Sequence, residues 1–252
     1  MLQVARLAPN LLQDAAEPLA EFFLSQFNED GGAANRAGQS DLYYTVFALE
    51  GLIALQVEFP TKVSHFLETF GDGDKLDLVH LCCLARCWAN LKGDAPRLDR
   101  RIEALWDRES VYHSFLAWGA LQDQGKRPRP IEVRDSSPVR TTPTTAAAMT
   151  LQRQMHQTVP SEIVQWLLAR AHPEGGFFAT EGAPMPDLLS TATALHALSG
   201  QQVSFAHLKE PTLDFLDTLW TGRAFCGNWA DDEPDCEYTY YALLAMGHLS
   251  LA

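Results

Sequence analysis

The chain lacks any apolar run long enough to cross a bilayer, and its first 26 residues carry Asp14, Glu17 and Pro18 instead of a hydrophobic leader. Neither a secretory signal nor a membrane span is expected. Positive charge is scarce. Nineteen Lys and Arg against 32 Asp and Glu leave a net charge of −13 and a pI near 4.9. That balance argues against nucleic acid or an anionic membrane surface as a partner and serves solubility. Cysteine is sparse and odd in number, with five in all and three of them at Cys82, Cys83 and Cys87. Such usage fits reduced thiols in a cytoplasmic protein better than a disulfide framework, and thiols on one buried helix act mostly as small hydrophobes. No period-two pattern of comparable strength competes with the helical one, and no linker divides the chain. Residues 1–252 therefore read as one all-α domain, long enough for a large core.

What is present is repetition. A glycine-rich bend, a short loop, an Asp and a helix of small residues ending in Leu recur along the chain. Gly31-Gly32 leads to the stretch from Asp41 to Leu49, Gly175-Gly176 to Asp187 through Leu195, and Gly227 to Asp235 through Leu243. In each, a hydroxyl residue stands four positions after the Asp, Ala seven after and Leu eight after. Weaker copies begin at Asp77, at Ser110 and near Thr141, the last with a register open by one residue. Self-similarity of this kind marks a repeat architecture.

Each anchor reads as a helix N-cap, whose side chain accepts from free N–H groups of the first turn. Between the copies lie segments with a single apolar stripe, at about 11–26, 60–70, 96–107, 160–171 and 205–220. The stretch 122–140 holds Pro128, Pro130 and Pro138 with little apolar content and reads as an irregular connection. The repeat helices are apolar on most faces, as inner helices are; the intervening ones are amphipathic, as an outer layer is. Alternating inner and outer helices, six pairs in all, suggest a closed barrel of helices.

Gly-Gly-Phe, a short loop, Asp, a hydroxyl residue and Ala-Leu together resemble the repeat of the protein prenyltransferase β subunits and the terpene cyclases. The resemblance implies an α/α toroid of six inner and six outer helices around a funnel that holds an isoprenoid chain. It also implies a zinc ion bound by Asp, Cys and His. Here Asp187 matches the first ligand, but Leu189 stands at the Cys position and Tyr238 at the His position, so the usual zinc site is expected to be absent. The cyclases' Asp-x-Asp-Asp acid is not matched by Asp231-Asp232-Glu233-Pro234-Asp235.

By analogy with the family, the residue three after each anchor looks into the funnel mouth. That expectation names Tyr44, His80, His113, Ser190 and Tyr238, with Thr144 if the register at 141 holds, and the caps Asp187 and Asp235 beside them. Tyr43 and Tyr44 cannot both face the cavity. The small residues seven after each anchor either let helices approach closely or leave a slot for a ligand. Asp77, His80 and His113 could form a relocated zinc site of one carboxylate and two imidazoles, or could be a helix cap and two separate polar residues.

No catalytic residue is identified, and a prenyltransferase-like transferase activity is left open. The sequence favours a protein that binds an isoprenoid or other apolar ligand. A protein-interaction scaffold of the same fold, with a protein partner, is the alternative. A carbohydrate-active (α/α)6 enzyme using Asp41, Glu109 and Asp187 is a more distant one.

Overall fold

A computed structural model describes residues 1–92, 96–133 and 140–252. In chain order its helices are α1 (Leu2–Ala5), α2 (Pro9–Leu12), α3 (Ala16–Ser25), α4 (Leu42–Ala54), α5 (Val63–Glu68), α6 (Leu78–Leu91), α7 (Asp99–Leu105), α8 (Val111–Asp123), α9 (Thr142–Gln154), α10 (Ser161–Leu168), α11 (Leu188–Gly200), α12 (Lys209–Leu219) and α13 (Cys236–Leu249). A short antiparallel ladder joins β1 (Phe177–Phe178) to β2 (Pro186–Asp187). Among the described residues no helix is long and apolar enough to cross a membrane.

The six anchors are the caps of six inner helices. Asp41, Asp77, Ser110, Thr141, Asp187 and Asp235 each accept a hydrogen bond from a first-turn N–H, at 2.7–3.3 Å. This fixes the fourth register at Thr141. Neighbours pack in the order α4, α6, α8, α9, α11, α13, and α13 returns to α4, so the ring closes. The outer helices α3, α5, α7, α10 and α12 lean on this ring. The described part of the connection between α8 and α9, residues 124–133 and 140–141, holds no helix, so five outer helices stand where six were expected. Pro138 lies outside the described residues.

The hydroxyl of the repeat explains why a glycine bend precedes each strong copy. Thr45, Thr191 and Thr239 accept from the backbone N–H groups of Ala33, Phe177 and Phe225, at 2.9, 2.9 and 3.2 Å. The bend is thereby pinned to the next inner helix. The third repeat has no such bend, and there the Trp106 indole N–H donates to Ser114 at 3.0 Å.

The inner helices also end alike. Fifteen residues after the anchor comes a left-handed residue in five of the six: Gln56, Lys92, Gly125, His156 and Gln202, with φ between 54° and 70°. In four of these, the following N–H reaches back five residues to a helix carbonyl, as from Val57 to Leu52 and from Val203 to Leu198. This is the αL termination that closes helices when the chain must turn away at once. Only one of the five is glycine.

Candidate functional site

The first turns of all six inner helices surround a cavity of about 250 Å³. The side chains on its wall lie two, five, six and nine positions after the caps. Position two gives Tyr43, Tyr112, Pro143 and Leu189; position five gives Val46, Cys82, Phe115, Ala146 and Tyr240; position six gives Phe47, Cys83, Leu116, Ala147, Thr193 and Tyr241. Steps of three and four residues keep one helix face toward the lumen. The wall is mostly aromatic and aliphatic. Burial pushes the Cys82 thiol up and that of Cys83 to about 12, so neither offers a thiolate.

The residues expected at position three do not line this cavity, apart from Thr144. One residue corresponds to about 100° around a helix, which turns position three from the lumen toward the rim. Ser190 is fully buried and donates to its own cap, Asp187, at 2.7 Å. Tyr44 packs edge-on against Tyr43, with ring centres 5.9 Å apart, so of the two tyrosines Tyr43 is the one on the cavity wall. Tyr238 covers Gly227, where even a Cβ would come within 2.7 Å of its ring. The small residues seven after the caps are buried between helices and absent from the wall, so they serve close packing.

Asp235 and Tyr238 belong to the seam that closes the ring. Arg36, in the loop before α4, donates to Asp235 at 2.8 Å and grips Asp231 with two further bonds of 2.7 and 3.0 Å. Its guanidinium also lies 5.7 Å from the centre of the Tyr238 ring. The bidentate pairing holds the Asp231 carboxyl below its ordinary range, while burial holds that of Asp235 above it.

The relocated metal site is not assembled. His80 Nδ1 lies 2.8 Å from Asp77 Oδ1, an exposed contact within one helix start that also receives the His80 N–H. His113 stays separate, with its Nδ1 unpartnered. Among the described residues no three His, Cys, Asp or Glu side chains converge as a metal would require. At the positions the resemblance gives to zinc, both oxygens of Asp187 are engaged by Ser190, Leu189 is part of the apolar wall and Tyr238 covers Gly227. The carboxylates considered for glycoside chemistry are also accounted for in part: Asp41 and Asp187 are caps, and Glu109 is exposed.

Two features escaped the sequence reading. At the floor of the cavity Arg86 pairs with Glu50, which is 2% exposed and lies on the neighbouring inner helix. The buried hydroxyl of Tyr240 lies beside the Glu50 carboxylate as its hydrogen-bonding neighbour. Beyond this floor a second cavity, of about 300 Å³, is lined by the far ends of the inner helices and by residues 1–3. Its wall is more polar than that of the first, with Asn90, Gln122, Asp123, Gln154 and His196 beside Leu2, Phe115 and Leu116. Positions nine and thirteen on the lumen face carry charge and amides where positions five and six are apolar, and that change was readable once the face was known.

The second feature is Glu237, two residues after the last cap. Its Oε1 accepts from the Tyr43 hydroxyl at 2.6 Å, tying α13 to α4. Burial raises its carboxyl to about 7. An unfolded Glu loses its proton near 4.5, so between these values the native state binds more protons than the unfolded one. Stability should therefore fall as pH rises through that window and level off above it. The loss is on the order of 3 kcal/mol at most, at about 1.4 kcal/mol per unit. Glu237→Gln, which keeps an acceptor for Tyr43, is expected to stabilise the protein at about pH 8 and to change little at about pH 4. Urea unfolding of both proteins across this range checks the prediction, and parallel pH profiles would sink it.

Among curated proteins, no match to the chain was found. A family model described as the prenyltransferase alpha-alpha toroid domain matches residues 8–89 and 127–251. The unmatched interval contains α7 and all of α8, the repeat in which Ser110 replaces the cap Asp and Trp106 replaces the glycine bend. With six capped inner helices closed into a ring and a model match over most of its length, the chain belongs to the prenyltransferase α/α-toroid family.

Proposed function

We propose that this protein binds an apolar, isoprenoid-like ligand in the cavity at the capped end of the ring, without the zinc chemistry of prenyl transfer. The observation that carries the reading is the lumen face itself. Six helices independently place aromatic, aliphatic or small side chains at positions five and six, which encloses an apolar space near the lower end of small-molecule sites, about 300–1,000 Å³. Each Å² of ligand surface removed from water there contributes about 25 cal/mol.

The loss of zinc rests on the donor set. A leucine cannot ligate, the Asp187 oxygens already serve Ser190, and Tyr238 is an unusual ligand beside Cys, His and carboxylate. The reading accordingly assigns no catalytic residue. Five free, buried cysteines fit a reducing compartment, and we place the protein in the cytoplasm.

Titration with a neutral solvatochromic dye such as Nile red, competed by farnesol, tests the proposal. Ala147→Phe, which fills the cavity from α9, should weaken both ligands by about tenfold or more while leaving the unfolding midpoint nearly unchanged. Absence of saturable binding to the unaltered protein would overturn the proposal in favour of an interaction scaffold.

A further inference from the structure

The apolar-ligand reading leaves the second cavity unused. Its volume of about 300 Å³ lies at the lower end of small-molecule sites, about 300–1,000 Å³, and suits a single ring. Asp123, on its wall, is a residue that the fold does not explain. It ends α8, where the helix dipole disfavours a carboxylate. Desolvation inside the ring raises its carboxyl above the ordinary range, and Arg86, already paired with Glu50, attracts it only from beyond ion-pair distance. Among the described residues nothing donates a hydrogen bond to it. A group that opposes its own helix and serves no neighbour marks a functional position.

The surroundings of Asp123 define what it would hold. Asn90 lines the same cavity with its Nδ2 unpartnered, and the amides of Gln122 and Gln154 stand beside it. Open acceptors and open donors in one space are matched by hydroxyl groups, each of which donates and accepts. A further anion would meet Glu50 and Asp123, and a further cation would meet Arg86 and the α-amino group of Met1. Like charges brought together out of water are disfavoured, so both charged classes are opposed. His196 adds no charge, since burial lowers its imidazole to about 3. Phe115 and Leu116 supply an apolar surface for the C–H face of a ring.

We propose that the second cavity binds a small uncharged molecule rich in hydroxyls, a sugar ring or a cyclic polyol, with Asp123 and the three amides as its hydrogen-bonding partners. The site is separate from the apolar cavity and does not depend on what that cavity takes.

Saturation-transfer NMR titrations of the full-length protein with D-glucose and myo-inositol, each beside its monophosphate, and with glucosamine test the proposal. At least one of the two uncharged compounds is expected to bind with a dissociation constant of about 10 mM or tighter, and its monophosphate at least about tenfold more weakly. Glucosamine should bind no more tightly than glucose. Asp123→Ala should weaken the uncharged ligand about tenfold while the urea midpoint holds or rises, because the carboxylate opposes its helix. Ala147→Phe, in the first cavity, should leave this binding unchanged. No binding of either uncharged compound overturns the proposal, as does tighter binding of a monophosphate or of glucosamine. Undiminished binding by Asp123→Ala, or a loss that comes with a lowered midpoint, also overturns it, since Asp123 would then be idle or structural.

Discussion

Arg86→Met is expected to destabilise the protein by about 3–5 kcal/mol, and Glu50→Leu in the same chain to recover most of that loss. The reason is the place of the pair. Glu50 sits nine residues after Asp41 on α4, on the lumen face and 2% exposed, and the Arg86 guanidinium nine residues after Asp77 is its countercharge. Removing the arginine alone leaves a carboxylate out of water with no partner. Removing both leaves an apolar floor, which is close to neutral for the fold. The two single variants and the double variant form a cycle, and urea unfolding of the four proteins yields the coupling. A coupling near zero, with Arg86→Met costing under about 1 kcal/mol, would show that the pair is solvated and that the floor is open.

Gly175→Ala should be nearly as damaging, at about 3 kcal/mol. Gly175 has φ near +100°, and a Cβ placed on it would come within 1.8 Å of the Pro211 carbonyl oxygen at the start of α12. The loop cannot relax without pushing an outer helix off the ring, so backbone strain and steric overlap act together. Gly182 separates the two effects. It also has positive φ, +77°, but a Cβ there meets nothing within 4 Å. Gly182→Ala should show the strain alone, about 1 kcal/mol. Equal unfolding midpoints for the two variants would mean that the close approach to Pro211 is unimportant.

Gly31 makes the same approach to the Lys62 carbonyl at the start of α5, with φ near +95° and a Cβ distance of 2.2 Å. In these two copies the first glycine of the repeat is therefore the point where the loop touches the next outer helix, whereas Gly227 lies against the Tyr238 ring. That is why the motif could be read from the sequence at all: a backbone contact tolerates no side chain, so the residue identity is forced.

The same logic separates what was legible from what was not. The six caps, the six inner helices and the amphipathic outer stripes were all in the sequence, because a cap needs an oxygen at one position and a buried helix needs apolar residues on most faces. The lumen face was not. An inner helix buried on every side has little amphipathicity to mark which side faces the centre, so the expectation fell one position away, on Tyr44, His113 and Ser190 instead of Tyr43, Tyr112 and Leu189. The left-handed terminations were invisible for a related reason: Gln56, Lys92, His156 and Gln202 carry none of the glycine signal that would announce them.

By itself, then, the sequence determined the repeat, its caps, its glycine contacts and hence the toroid, since these depend on interactions local to one repeat or between neighbours. Only the tertiary structure decided which residues meet at the centre. The Glu50–Arg86 floor, the Tyr43–Glu237 seam and the Arg36 clasp join residues from 36 to 199 positions apart. No spacing rule within a helix reaches across a ring, and their partners are set by its closure.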